Sequence, residues 1–408
     1  MKCIRLSLLA TTVSTLLLSN AASAAAFQLY ELGTPIIGTA GVGQAAVASD
    51  ASTTYFNPAG MTQLPTTEYM VGGQMIVPFA NFSKRASQTT LRGDNGGDAG
   101  SLMPGLGLFY VYNYSPKLKL GFSMTSPYGG VLDYTNGWVG RYHVQSLMFY
   151  TINLNPSVAY QINNWASIGA GLSLEYANVH ETVAIPVPET QLIDGQANIK
   201  VSNLAPGVNV GFMIKPTPMT KIGVAYRSQI SHDLHGDLTF LRLSVTPNTS
   251  TRMTMPQNVI VSVAQDLSHH FSLLGELGWS NWSSMRNSVV NVANLSGSIP
   301  RNWSNTYRVG LGGQYQYNNA LMLQAGASLD SSPTSSSRRL PDLPMDRQIR
   351  VGAGITYAII KAVNLGFSYE YINFGNANIN NLSSVGNLSG SYSRNYANVL
   401  QMSINVAC

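Results

Sequence analysis

The side chains most able to perform chemistry are few in this sequence, and their spacing does not favour catalysis. His232 and His235 have the spacing of two metal ligands, but they fall in a predicted long loop with no third ligand and no cysteine nearby. His269 and His270 fall at a predicted turn, where solvation is expected. We therefore predict no metal site from the six histidines, which are His143, His180, His232, His235, His269 and His270.

Other reaction types find equally little support. A hydrolase would need a serine and a histidine within hydrogen-bonding distance on one face, and no motif in the sequence supports this. No glycine-rich phosphate-binding loop is present, and the formal charge of +5 is spread along the chain without forming a basic face. The sequence predicts a protein that is not an enzyme, needs no cofactor and binds no nucleic acid.

The amino terminus has the pattern of an export signal. Lys2 and Arg5 precede the apolar run 6–18, which is followed by Ala22-Ser23-Ala24. A membrane anchor is the alternative, but the run is shorter than the roughly 18 to 20 apolar residues that span a bilayer. We predict a signal peptide over residues 1–24 and a mature chain from Ala25.

The composition combines many apolar residues with very few charges. Hydrophobic residues make up 45% of the chain and charged residues 10%, and no run after residue 24 is long enough to be a transmembrane helix. A helical membrane protein is therefore excluded, and a soluble globule would have too few charges. A transmembrane β-barrel explains both facts, because short strands face lipid on one side and a polar lumen on the other. Cys3 and Cys408 are the only cysteines, so the mature chain forms no internal disulfide.

Alternating apolar residues predict the strands. In 118–124, Leu118, Leu120, Phe122 and Met124 share one face, and the same pattern recurs from about residue 67 to the end. The count is fourteen antiparallel strands, an even number as expected for a bacterial barrel. Short turns alternate with long polar loops, so both barrel ends are expected in the periplasm. A β-sandwich is excluded because the second strand faces lack a core. The short turns are predicted near 115, 163, 216, 267, 318 and 360, and the long loops near 81, 128, 182, 232, 282, 331 and 374.

Residues 25–66 precede the first predicted strand and differ from the rest of the chain. They are rich in glycine and alanine, carry almost no charge, and end near Asn57-Pro58-Ala59-Gly60. A barrel of about eight strands is already filled by its own side chains, so fourteen strands leave an open lumen. We predict that residues 25–66 form a plug in that lumen, with Asn57-Pro58 fixing an extended turn.

Several motifs together resemble one known family. They are "AAFQLYELG", "GQAAVASDASTTYFNPAGMTQL", "GWVGRYH", "AYRSQISHDLHGDL", "WSNWSSM", "TYRVGLGGQYQYNNALMLQAGASLDSSP" and "LPDLPMDRQIRVGAGITYA". Their order and spacing are similar to the FadL family of outer-membrane long-chain fatty-acid transporters, which includes TodX-like aromatic-hydrocarbon channels. The resemblance covers essentially the whole mature chain, and the Asn-Pro-Ala element is its most specific mark.

The resemblance implies a fourteen-stranded barrel with an N-terminal hatch over residues 25–66. It implies that hydrophobic ligand enters from outside, reaches an internal pocket and leaves sideways through the wall. The exit lies where a kinked third strand faces the hatch Asn-Pro-Ala. On this resemblance Asn57, Pro58 and Ala59 form the hatch element, the kink falls at Gly129 in "SPYGG", and Phe27 is the hatch aromatic near the pocket.

The family's basic pocket residues have no obvious match in this sequence. By position, His180 and Arg301 are the candidate partners for a ligand carboxylate. Arg227 and Arg308 are expected to face the lumen by strand parity. A second departure is the carboxyl terminus, where Cys408 occupies the place of the usual aromatic on the lipid face.

The expected ligand is a long-chain fatty acid or another hydrophobic small molecule. Alternatives are an aromatic-hydrocarbon channel of the same family, a general diffusion porin, and a surface adhesin. A porin would have no reason to fill its lumen, and an adhesin would carry its specific motifs in the loops. The expected location is the outer membrane of a Gram-negative cell, where the protein contacts outer-membrane lipid, is inserted by the barrel-assembly machinery and acts as a monomer.

Overall fold

The computed structural model describes residues 27–185, 194–241, 248–285, 287–292, 295–383 and 386–408. The predicted signal peptide, residues 1–24, and the predicted mature start at Ala25 lie outside these ranges. Among the described helices, none has the length and apolar character to cross a membrane.

Fourteen antiparallel strands form a closed barrel, as the sequence predicts. Each strand pairs with its neighbours in sequence, and the last pairs with the first from Glu68↔Ala407 to Lys84↔Gly390. Three strands are interrupted and have two segments. The strands are β1 (Glu68–Lys84), β2 (Met103–Tyr112), β3 (Leu118–Thr125 and Gly129–Asp133), β4 (Ser146–Gln161), β5 (Ala166–Ile185), β6 (Gly195–Thr217), β7 (Thr220–Arg227 and Ile230–Leu241), β8 (Asn248–Met255 and Asn258–Asp266), β9 (Phe271–Ser280), β10 (Thr306–Gln316), β11 (Leu321–Asp330), β12 (Gln348–Ile360), β13 (Val363–Asn373) and β14 (Gly386–Ala407).

Alternate side chains of each strand face the outside and the lumen. On the outer face Leu172, Leu311 and Met402 are each more than half exposed, as expected for side chains that face lipid. On the inner face the neighbouring positions are small or polar and buried, as at Ser173 and Gln401. The alternation predicted from the sequence is therefore present in the barrel.

The strands extend further than the sequence predicts at the end with long connections. The loop predicted near residue 232 is instead the second segment of β7 (Ile230–Leu241) paired with the first segment of β8 (Asn248–Met255). Here Leu234 faces inward and is buried, whereas Asp233 faces outward and is exposed. Apolar-inward alternation of this kind is expected where a strand continues into water, and it differs from the apolar-outward pattern of the lipid-facing part. Further strands at this end are Asn287–Val292, Leu295–Pro300 and Ile379–Ser383.

This extension corrects the placement of the two histidines in that region. His232 points inward, is fully buried and lies 3.2 Å from Glu175 Oε1 through its Nε2. His235 is exposed on the opposite face of the same strand. Because residues an odd number of positions apart on a strand face opposite sides, the two side chains do not converge on one ion.

Residues 27–66, called here the N-terminal segment, form three short helical turns and no long strand. The turns are Pro35–Thr39, Thr53–Phe56 and Pro58–Gln63. The backbone of the N-terminal segment approaches glycines on strands around the barrel wall, at positions where no side chain could be accommodated. A Cβ atom at Gly169 would lie 2.5 Å from Ala59 N, and one at Gly352 would lie 2.8 Å from Ala40 N. The backbone of the segment approaches Gly72, Gly107, Gly223 and Gly326 in the same way, and its side chains approach Gly121, Gly211, Gly310 and Gly366.

A buried aromatic cluster packs the end of the barrel that carries the long connections. The rings of Tyr134 and Trp138 stack with centroids 3.9 Å apart, and Phe82 meets Trp138 edge-on at 5.8 Å. Tyr134 Oη also donates to Pro341 O at 3.0 Å. These contacts join the connection after β3 to the one after β11, so this end of the barrel is covered.

Candidate ligand cavity

The third strand is broken at residues 126–128. Its first segment ends with Thr125 opposite Asn153 of β4, and its second begins with Gly129 opposite Tyr150. Three residues of β3 therefore stand opposite two of β4, which is a β-bulge. Bulges bend a strand and interrupt its pairing on one side.

On its other side the broken strand leaves part of β2 unpaired. The ladder between β2 and β3 runs from Leu108↔Met124 to Tyr112↔Leu120 and goes no further. Residues 103–107 of β2 pair with β1 but not with β3. The wall of the barrel therefore has a gap between this part of β2 and the break in β3.

The beginning of the N-terminal segment lies against this break. Leu29 N donates to Pro127 O at 2.9 Å, and Gly129 N donates to Phe27 O at 3.0 Å. Pro127 has no N–H of its own, so this turn of the strand cannot continue a regular ladder. Residues 27–29 thus take up hydrogen bonds of β3 that β2 leaves unmade.

An apolar cavity runs through this part of the wall in two adjoining parts, called here the break cavity. The inner part has a volume of about 70 Å³ and the outer part about 310 Å³. The inner part is lined by Phe27, Leu343 and Phe374 among others. The outer part is lined by Leu106 and Met148, which are 51% and 47% exposed on the outside of the barrel. The residues that border both parts are Leu29, Glu31, Ile76, Met103, Gly129 and Val131.

A buried cluster of charges lies beside the break cavity, and two of its members, Glu31 and Arg350, line the inner part. We call Glu31, Glu276, Arg308, Asp330 and Arg350 the ion-pair cluster. Arg350 Nε lies 3.1 Å from Glu31 Oε1, and its Nη1 contacts Asp330. Arg308 lies 2.7 Å from Asp330 Oδ2 and 3.0 Å from Glu276 Oε1. Both guanidinium groups are thus matched by protein carboxylates.

The ion-pair cluster also binds the backbone of the N-terminal segment. Glu276 Oε2 accepts from Gly43 N at 3.0 Å and from Gln44 N at 3.3 Å. Arg308 Nη2 donates to Ala40 O, and the guanidinium lies 4.0 Å from the ring centre of Tyr30. The cluster therefore joins strands β9 to β12 to residues 30–44.

Phe27 and Gly129, two of the residues chosen from the sequence, meet at the break cavity. Phe27 is 5% exposed, and its ring lies 5.3 Å from that of Phe149 and 6.0 Å from that of Trp303. A Cβ atom at Gly129 would lie 3.3 Å from Met103 Cε, so the position suits a glycine. The break itself begins at Ser126, and Gly129 has no left-handed φ angle.

Asn57, Pro58 and Ala59 lie against a different part of the wall from the one that the resemblance implies. Asn57 Nδ2 donates to Ala45 O at 2.7 Å and to Phe212 O of β6 at 3.0 Å, and its Oδ1 accepts from Ala59 N at 3.1 Å. The close approaches of Pro58 and Ala59 are to β5 and β6. The segment that faces the break in β3 is residues 27–29, and Asn57-Pro58-Ala59 holds the following helical turn in place.

The two candidate carboxylate partners are not brought together. Arg301 pairs with Asp342, which lines the inner part of the break cavity, and lies 5.8 Å from the ring centre of Trp303. His180 is paired with Met148 on β4 and with Lys200 on β6, and it shares the outer face of β5 with Leu172. The placement of His180 in the pocket is therefore corrected, because strand parity directs its side chain outward. Arg227 and Arg308 are buried on the inner face, as predicted.

Sequence reasoning missed Leu29, Met103 and Arg350. No pattern in the sequence distinguishes Leu29 and Met103 from other apolar residues near a strand end. Arg350 could have been found, because it lies at an inward position of "DRQIRVGAG", where a charge must have a partner.

The profile of the family described as outer membrane protein transport protein (OMPP1/FadL/TodX) matches residues 15–407. The chain belongs to this family. This FadL/TodX-family chain is 26% identical over 430 residues to a putative outer membrane protein of Neisseria meningitidis serogroup B, covering 92% of each. It is 25% identical over 411 residues to the long-chain fatty acid transport protein of Escherichia coli K12, covering 89% of this chain and 91% of the relative.

Solved structures support the same fold. A Pseudomonas aeruginosa FadL homologue superposes with a TM-score of 0.85 at 20% identity, covering 94% of this chain and all of the other. The toluene transporter TodX of Pseudomonas putida superposes with a TM-score of 0.68 at 15% identity, covering 95% and 99%. This FadL/TodX-family protein is accordingly an outer-membrane transport protein with a closed fourteen-stranded barrel. Of the relatives named above, that of Escherichia coli is described as a long-chain fatty acid transport protein and that of Pseudomonas putida as a toluene transporter.

Proposed function

We propose that the protein takes up long-chain fatty acids or similar hydrophobic molecules by passive diffusion, with a lateral exit through the wall. The observation that carries this proposal is the gap between residues 103–107 of β2 and the break in β3, which the break cavity joins to the lipid-facing surface. An acyl chain gains roughly 0.8 kcal/mol per buried CH₂ group. A path from an apolar cavity straight into lipid keeps that free energy, whereas an aqueous path would lose it.

In this proposal residues 1–24 are a signal peptide, residues 25–66 are a hatch and residues 67–408 are the barrel. The hatch blocks an axial path, and its first residues regulate the gap. Phe27 lines the ligand cavity, Gly129 gives space at the exit, and Asn57, Pro58 and Ala59 fix the rest of the hatch. The chain is inserted by the barrel-assembly machinery, contacts outer-membrane lipid and acts as a monomer.

A second ligand class, aromatic hydrocarbons, has one specific observation in its favour. Arg350 is the arginine that lines the break cavity, and it is already neutralised by Glu31 and Asp330. Arg301, the sequence-based choice, is neutralised by Asp342. A cavity whose cations are matched favours an uncharged ligand, because a buried carboxylate without a partner is costly. In this setting we propose that Arg301 acts by cancelling the charge of Asp342 rather than by binding ligand directly.

Binding of a labelled long-chain fatty acid to the purified protein tests the proposal. We expect saturable binding that unlabelled fatty acid displaces, and competition by toluene would show that the two ligand classes share the cavity. Conductance of the protein in a planar bilayer is the accompanying measurement, and we expect it to be small. Absence of saturable binding of both ligands, together with large ion conductance, would contradict the proposal and favour a porin.

A further inference from the structure

Arg227 differs from the other buried arginines of the barrel lumen. Arg308 and Arg350 each contact carboxylates. Arg227 is 8% exposed and, within the described part of the chain, contacts no carboxylate. Its Nη2 donates to Tyr55 O at 2.8 Å and its Nη1 to Ser173 Oγ at 3.1 Å. Its guanidinium also lies 3.9 Å from the ring centre of Tyr55.

Glu175, a buried carboxylate on the inner face of β5 like Ser173, already has other partners. Glu175 accepts from Asn153 Nδ2 at 2.9 Å and lies 3.2 Å from His232 Nε2. It makes no ion pair with Arg227 in the described structure. Burying a guanidinium without a contacting anion is unfavourable, so the arrangement is incomplete as a purely structural feature.

A row of buried polar side chains leads from the break in β3 to Arg227. Thr125 is the last residue before the break and stands opposite Asn153, and Ser123 stands opposite Asn155. Asn155 Nδ2 donates to Asn209 Oδ1 at 2.8 Å, and Asn209 stands opposite Arg227. We call the residues of this row the polar row; they are Ser123, Thr125, Asn153, Asn155 and Asn209.

Each member of the polar row has a buried atom without a hydrogen-bond partner in the described structure. The atoms are Ser123 Oγ, Thr125 Oγ1, Asn153 Oδ1, Asn155 Oδ1 and Asn209 Nδ2. Buried polar atoms in proteins are almost always hydrogen-bonded to protein or to water. Five such atoms in one row therefore leave hydrogen-bonding capacity between the break in β3 and Arg227 that the described protein groups do not use.

Arg227 also borders a small cavity of its own, next to the break cavity. This cavity has a volume of about 30 Å³, and its polar lining includes Asn209 and Asn258. Leu29 lines both this cavity and the two parts of the break cavity, so the cavities are neighbours. An amphipathic molecule could therefore place its tail on one side of Leu29 and its polar end on the other.

From this arrangement we propose that Arg227, with the amides of Asn209 and Asn258, forms a binding subsite for the carboxylate of an amphipathic ligand whose tail occupies the break cavity. The inference rests on the proposed function, because it needs a hydrophobic ligand in that cavity. It assigns the head group to the Arg227 subsite, reached along the polar row, instead of to Arg301 or His180.

The test compares a charged ligand with its uncharged analogue. Affinities for laurate and for methyl laurate are measured on the purified parent protein and on Arg227→Gln. A charge-assisted hydrogen bond contributes enough that its loss should weaken laurate binding about tenfold to a hundredfold. Methyl laurate binding should change by less than about twofold, since its head group carries no charge. Arg227→Lys should recover part of the laurate affinity, and the control variant Arg252→Gln, at an exposed ion pair, should leave the preference for laurate intact.

Two results with Arg227→Gln would contradict the proposed subsite. One is unchanged laurate affinity, and the other is an equal loss for laurate and methyl laurate, which would indicate that Arg227 only holds Tyr55 in place. If Arg227→Gln does not assemble into a heat-modifiable barrel, Asn209→Val is used instead. We expect Asn209→Val to lose affinity for laurate but not for methyl laurate, and an equal effect on both compounds would contradict the subsite. Failure of the parent to bind either compound would count against the proposed function itself, so the two failures are distinguishable.

Discussion

The N-terminal segment meets two very different walls of the barrel. Along β9 to β12 it is held by the ion-pair cluster, in which Arg308 and Glu276 bond to its backbone. Along the break in β3 it makes only a few backbone hydrogen bonds, through Phe27 and Leu29, and otherwise borders an apolar cavity. One wall fixes the segment, and the other leaves room beside it.

Under the proposed function, this difference suggests how a hatch could occupy the lumen and still let ligand pass. Charged contacts buried on one side are costly to break, so residues 30–44 are expected to stay in place. Residues 27–29 make two backbone hydrogen bonds to β3 at the place where β2 would pair in a closed wall. These two hydrogen bonds are easily broken and replaced. Movement is therefore expected at the start of the segment and not in its body.

Removing Arg308 should have the largest effect on this contrast. In Arg308→Met, buried Glu276 loses its arginine partner and buried Asp330 keeps only Arg350, which costs about 3–5 kcal/mol. We expect faster hydrogen exchange of residues 30–44 and a higher ion conductance. The matched control is Arg252→Met, which removes an exposed ion pair with Asp233 and should change neither measurement. Unchanged exchange in Arg308→Met would show that the cluster does not fix the segment.

A double variant of the Asn57-Pro58 turn should have the next largest effect. Asn57→Ala with Pro58→Ala leaves the buried carbonyl of Ala45 without its donor, at a cost of about 1–3 kcal/mol. We expect reduced uptake of labelled fatty acid, with barrel assembly and heat-modifiable gel mobility unchanged. Asn380→Ala, at an exposed position, is the control. Normal uptake by an assembled double variant would mean that this turn has no part in passage.

Truncating Phe27 tests the apolar side. Phe27→Ala removes a buried ring from the break cavity, and the lost apolar contact should weaken ligand binding by about tenfold. Phe271→Ala removes a ring from the outer face and should leave binding unchanged. Binding is measured by titration with a labelled fatty acid. Equal affinities of the two variants would place the ligand away from Phe27.

The smallest expected effect concerns pH and the connection that follows β3. Burial lowers the pKa of His143 below its ordinary value of 6.5, an effect that the charge of Asp342 partly opposes. The folded connection therefore favours neutral His143. The stability that this preference gives to the connection is fully present above pH 6.5, and it is lost as the pH falls towards the lower pKa of the folded state. We expect faster hydrogen exchange of residues 134–145 at pH 5 than at pH 7.5 after correction for intrinsic rates. The same acceleration in His143→Asn would assign the effect to another group.

The barrel could be predicted from the sequence because lipid imposes a simple rule on its strands. Outward apolar residues such as Leu172 and Leu311 alternate with small inward ones over the height of the membrane, and this pattern yields the strand count. Above the membrane the rule reverses, so the apolar-outward pattern predicts a loop around His232 where the structure has a strand. The gap beside β2 could not be predicted, because it depends on which hydrogen bonds residues 103–107 fail to make. Parity alone would have excluded His180, since it lies an even number of residues from Leu172.

The central claim is that ligand leaves through the gap between β2 and β3, and a reversible lock across the gap tests it most directly. Continuing the ladder beyond Leu108↔Met124 by two residues places Leu106 opposite Ser126. In a Cys408→Ser background, Leu106→Cys with Ser126→Cys places one thiol on each side of the gap, where both residues line the outer part of the break cavity, and a disulfide between them closes the wall. The matched control is Tyr110→Cys with Phe122→Cys, which locks a part of the same two strands that is already paired. We predict that oxidation of the first pair stops uptake, that reduction restores it, and that ligand binding persists throughout, whereas the control pair changes nothing. Unchanged uptake with the first disulfide fully formed would contradict a lateral exit.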